Sequence, residues 1–193
     1  MTYLLKINTL VIALLILATS NAIAQGPPQN VRAHRVGAGV FDKTGWTKAV
    51  STEGRYSVEL PCQFNDVTAS PENGPSKGND LAFIVACDRA DGVRFFAARF
   101  QYPNGQAEAQ KTFDQRFAGS PMAEGTFTDG QLQGLKLFDF ALDGPGKCIF
   151  GRMVRAGGDN IMLLVEPVKA PATVCSSLRP DAVRFRSSLM VTR

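Results

Sequence analysis

The chain has 193 residues, and its 21 Lys and Arg against 17 Asp and Glu leave a formal net charge of +4. That excess is small and no run of like charge concentrates it, so a pI near 9.0 gives little footing for a nucleic-acid surface. A single histidine and four cysteines without a C-x-x-C rule out a thioredoxin-like redox motif and leave zinc without a clustered ligand set.

The N-terminal stretch "MTYLLKINTLVIALLILATSNAIAQ" carries one cation, Lys6, then an apolar run from Thr9 to Thr19. Ala22-Ile23-Ala24 supplies a small-x-small pattern before Gln25. The run falls short of the roughly 20 residues a bilayer span needs, so residues 1–24 read as a signal peptide. No twin-arginine pair is present, which points to the general secretory route. No cysteine follows the run until Cys62, which argues against lipid attachment at the mature terminus. No later segment is apolar enough to span a membrane. The expectation is a periplasmic or secreted protein, its mature part of ordinary single-domain length.

Residues 25–44 contain Pro27, Pro28, Gly37, Gly39 and His34 with little periodicity, and read as a flexible lead-in. Structure is expected from "GWTKAV", giving a single domain over 45–193. "STEGR" is a turn, and "YSVELP" alternates Tyr56, Val58 and Leu60 against Ser57 and Glu59 as a strand. "TASPENGPSKGND", 68–80, is a polar loop. "LAFIVAC" and "VRFFAARFQY" form a hairpin across "DRADG". "QAEAQKTFDQRFA" spaces Ala109, Phe113 and Phe117 four apart, one stripe of a helix. "QGLKLFDFAL", "KCIFGRMVRA" and "NIMLLVEPVK" read as strands joined by "DGPG" and "GGDN" turns. "RPDAVRFRSSLMV" reads as a closing helix with Pro180 near its first turn. The predicted fold class is α+β, a single antiparallel sheet with two main helices packed on it.

Cys62, Cys87, Cys148 and Cys175 all follow the leader, and an even number in an oxidising compartment predicts two disulfides. Three connectivities are open. Sequential pairing, Cys62–Cys87 and Cys148–Cys175, is preferred because each pair then spans one supersecondary unit.

The stretch from Trp46 through Gly54-Arg55-Tyr56-Ser57-Val58-Glu59-Leu60-Pro61 resembles the opening of small exported bacterial domains of the PsbP-like α/β sandwich type. The resemblance implies a fold. It carries no catalytic residue across, and the four cysteines are no part of the general pattern.

Catalytic constellations are hard to assemble. A Ser-His-Asp triad would need His34, which reads as an exposed or loosely packed residue, and neither G-x-S-x-G nor S-x-x-K occurs. "GPGKC" lacks the full phosphate-loop pattern and reads as hairpin punctuation. Among the acids, Asp139 stands out between Phe138 and Phe140, on a strand face shared with Leu135 or Leu137. A carboxylate there needs a partner, and Arg99 or Arg152 could supply one across the sheet. Arg99, Asp139 and Arg152 are therefore the candidate ligand-binding residues, with Glu166 a lesser candidate near a strand end. The phenylalanines read as core, and adjacent Phe95 and Phe96 must face opposite ways. The sequence thus predicts an exported, non-catalytic binding or accessory domain, its partner an unknown protein or envelope component. It predicts no cofactor, no metal, no nucleic acid and no membrane span after cleavage. The alternative is an enzyme, for example a hydrolase, built on an unrecognised carboxylate/arginine site.

Overall fold

The structure, a computed structural model, describes residues 29–71, 81–144, 147–168 and 175–192. The expected signal peptide, most of the 68–80 loop and Pro145-Gly146 of the "DGPG" turn lie outside these residues. In chain order the strands are β1 (Gln29–Ala38), β2 (Thr47–Val50), β3 (Tyr56–Leu60), β4 (Phe64–Pro71), β5 (Leu81–Asp88) and β6 (Val93–Gln101). Helix α1 (Gln106–Gln115) and a 3-10 turn (Pro121–Glu124) follow. Then come β7 (Thr126–Leu132), β8 (Leu135–Gly144), β9 (Lys147–Ala156), β10 (Asp159–Pro167), helix α2 (Cys175–Ser187) and β11 (Met190–Val191).

The expected single sheet is not what forms. The molecule is mostly β, with an eight-stranded antiparallel sheet in the order β1-β4-β5-β6-β10-β9-β8-β7 and a separate three-stranded sheet, β11-β3-β2. The chain changes sheets at Pro61-Cys62: a proline withdraws a ladder donor, β3 ends, and β4 starts in the larger sheet. Alternation along "YSVEL" announces a strand but carries no information about its partner. β10 lies between β6 and β9, pairing both in unbroken register.

Both faces of the large sheet are covered, which is why β6 and β10 read as continuous apolar runs. From Val93 to Ala98 every β6 residue is buried. Phe95 and Ala97 face one core with Trp46, Tyr56, Phe150, Ile161, Leu163 and Phe185, closed by the small sheet and α2. Phe96 and Ala98 face a second core with Phe100, Phe113, Phe138, Phe140, Met153 and Met162. Helix α1 packs there, on β9 and β10. The stripe Ala109 and Phe113 is buried as expected, whereas Phe117 lies beyond the helix end. Arg116 and Phe117 adopt φ of 42° and 63°, and that turn carries the Phe117 ring to within 4.7 Å of Phe140. At Gly151 a Cβ would meet the Phe140 ring at 2.1 Å, so only glycine lets that ring lie across β9.

Three more elements depart from expectation. Residues 29–38, read as lead-in, form the edge strand β1, paired with β4. "TFTDGQL", given no element, is β7, hairpinned to β8. The closing helix starts at Cys175, leaving Pro180 in its interior, and stops at Ser187, so that Met190-Val191 joins β3 as β11.

Both disulfides form in the sequential pairing. Cys62–Cys87 has a Cα–Cα distance of 5.9 Å and Cys148–Cys175 one of 5.4 Å. The first ties the crossover between sheets to β5, and the second ties α2 to β9. Both sit at the first core, where Cys87 and Cys148 are buried.

Candidate functional site

Asp139 lies on the β8 face that carries Leu137, turned toward the first core. Arg152 is its direct register partner on β9. The pair is bidentate, Arg152 Nε donating to Oδ1 at 2.7 Å and Nη2 to Oδ2 at 3.0 Å. Arg152 Nη1 also donates to the Arg186 carbonyl of α2 at 2.8 Å. The Arg186 guanidinium stands 3.7 Å from Asp139 Oδ2 and donates to the carbonyls of Gly151 and Ala182. Burial holds Arg186 below the usual arginine range, opposed by Asp139 and reinforced by Arg152 and Arg179. The sheet therefore brings Asp139 and Arg152 together and adds Arg186, clamping the end of α2 onto β8 and β9.

Arg99 is not part of this group. It stands on β6, beyond β10, and donates to Asp159 Oδ2 at 2.7 Å and to the Gly54 carbonyl at 3.3 Å.

A second charged row lies on the opposite face; the sequence offered Glu166 from it as a lesser candidate, and Asp88 and Arg94 were missed. Asp88, Arg94 and Glu166 are neighbours across β5, β6 and β10. Arg94 is only 2% exposed and donates to both carboxylate oxygens of Asp88, Nε to Oδ1 at 2.7 Å and Nη2 to Oδ2 at 3.0 Å. Burial raises Glu166 above the usual glutamate value of 4.5, with Arg94 opposing the shift and Asp88 adding to it. The available signal was a charge inside each apolar run, in "VRFFAARF" and "LLVEP". Because the folded state prefers protonated Glu166, stability falls as pH climbs from 4.5 through the raised value. Glu166→Gln should remove that fall: equal melting temperature to the parent at acid pH, higher at neutral pH. A pH series of thermal melts checks this, and parallel curves would contradict it.

His34, on β1, is less loose than its sequence context suggested. Its Nε2 lies 2.8 Å from Thr68 Oγ1, which in turn donates to Glu53 Oε2 at 2.8 Å. The geometry is a hydrogen-bonded tie between strands, with the hydroxyl committed to the carboxylate.

The two edges of the large sheet differ. β1 carries Arg32, His34 and Arg35 and two register shifts against β4, devices that discourage further pairing. β7 pairs β8 without interruption from Thr126 to Leu132 and is exposed along most of its length. Its only charge, Asp129, binds Arg116. An open groove of about 400 Å³ begins at the same edge, between Glu124–Thr126 and Ala141–Gly144. Among the described residues no helix is long and apolar enough to cross a membrane, and no group of His, Cys, Asp and Glu is placed to hold a metal. Searches against protein-family models and against curated proteins gave no match for this chain.

Proposed function

We propose that this is an exported, non-catalytic binding domain that takes an extended polypeptide segment along β7. The observation that carries the reading is the regular, exposed and nearly uncharged edge of β7 on a sheet otherwise covered on both faces. A free strand edge offers alternating N–H and C=O groups, which another strand satisfies in full. Gly130 leaves the Leu137 side chain as an apolar floor, 3.1 Å from where a Cβ would stand, so a large apolar residue of the partner fits opposite it. Two disulfides suit an oxidising compartment. The resemblance to PsbP-like exported domains agrees with export and adds no site residue. The ion pairs of Asp139 and Arg99 support this reading over the hydrolase alternative, since each carboxylate is engaged by a guanidinium.

The test places a photoreactive residue at Thr126 in protein exported by its native host. A polypeptide adduct should form, and should be lost when lysines replace the exposed Thr128 and Gln131, which blunt the edge without entering a core. An adduct indifferent to those lysines, or none at all, would refute docking on β7.

A further inference from the structure

β1 is bound to the fold in an unusual way. None of its residues from Asn30 to Ala38 is buried, and Val31 and Val36 are 45% and 74% exposed. Only Ala38 touches the first core. Beyond the backbone ladder to β4, with its two register shifts, the attachment is polar. Arg32 pairs with Glu53, and His34 meets Thr68. Gly37 N donates to Asn65 Oδ1 at 3.0 Å. Arg35 reaches the Val50 carbonyl, Thr52 Oγ1 and Asp66 Oδ2, the last at 3.1 Å. Asp66 is 1% exposed and also accepts from the Thr52 amide at 2.9 Å. Two arginines of one strand thus grip two acids, Glu53 on the β2–β3 turn and Asp66 on β4, with His34 hydrogen-bonded to Thr68 between them.

We propose that β1 is an ionically latched strand that leaves and rejoins the sheet as a unit while the other strands stay folded. Its departure removes almost no apolar surface from a core, so the hydrophobic term that holds β5, β6 and β10 does not hold β1. What departure does break is a set of partly exposed ion pairs and a bulged ladder. It also lets the buried Asp66 carboxylate hydrate, which offsets part of the lost pairing. Release bares the β4 edge from Phe64 to Pro71, a second strand-acceptor edge in addition to that of β7. The inference does not depend on what β7 binds.

Hydrogen–deuterium exchange on the full chain, disulfides intact, tests it. The amides bonded between β1 and β4 should exchange at least about 100-fold faster than those between β6 and β10. Raising sodium chloride from about 0.05 M to about 0.5 M should speed them by roughly a further 10-fold and leave β6 unchanged. Arg35→Gln should do the same. Should that variant fail to fold, Arg32→Gln, which removes a more exposed pair, reads the same latch. Exchange of β1 at the rate of β6, or fast exchange that neither salt nor these variants alter, would overturn the proposal.

Discussion

Removing both disulfides, by serine at Cys62, Cys87, Cys148 and Cys175, should cost the fold far more than any surface change. The bridges close chain separations of 25 and 27 residues, and loops of that size are each worth about 3 kcal/mol in restricted unfolded-chain entropy. The loss should fall unevenly. Both bridges fasten the small sheet and α2 to one face of the large sheet, and the second core under α1 has no covalent tie among the described residues. Trp46, the chain's one tryptophan, lies in the fastened layer, with Arg184 over its ring at 4.5 Å and Phe95 edge-on at 6.0 Å. Its fluorescence therefore reports that layer alone. Loss of Cys148–Cys175 should red-shift Trp46 emission before far-ultraviolet circular dichroism changes in denaturant. A total cost below about 1 kcal/mol, outside the usual range for native bridges, would show that packing alone holds the layer.

Asp139→Asn should destabilise the protein by about 2 kcal/mol, below the usual cost of breaking a fully buried pair because the site is partly open. The amide cannot balance Arg152, whose side chain is 13% exposed, nor the nearby Arg186. Asp139→Leu combined with Arg152→Met should recover most of the loss, since two apolar groups leave no stranded charge on the sheet. Denaturant melts of the two single variants and the pair close a double-mutant cycle. A structural clamp gives a coupling well above the error. A binding role would instead give unchanged melts and weakened partner capture.

The pairing behind that prediction was partly legible. "LFDFAL" and "CIFGRMV" are two apolar strands around a short turn, so an acid in one and an arginine in the other fall opposite by counting back from the hairpin. Arg99 has no such local partner: Asp159 sits in another hairpin, and only the insertion of β10 beside β6 brings them together. β1 and β7 were illegible for a related reason. Edge strands bury little, so the alternation by which strands are recognised is short: "NVRAHRV" alternates only from Asn30 to His34, and "TFTDGQL" is without an apolar side chain between Phe127 and Leu132. The closing helix reads from Arg179 because proline favours a first turn, but disulfide-bonded Cys175 begins the helix earlier. The division into two sheets had no signature in any one strand, because strand alternation records burial and not the neighbour.

The place of β10 has a consequence for how the chain is made. Emerging N-terminus first, the polypeptide can build β4-β5-β6 from adjacent hairpins and, later, β7-β8-β9 as a meander. Neither half can join the other, because the strand that bridges them is the last of the eight to be synthesised. Until Pro167 is out, β6 stands as a bare edge, apolar on both sides and free of bulges against its future neighbour. Such a strand is an invitation to aggregate during biogenesis. The nascent chain is therefore most vulnerable between completion of β6 and arrival of β10, a window some 65 residues long set by topology alone. A holding chaperone acting on this chain has its work defined by that interval.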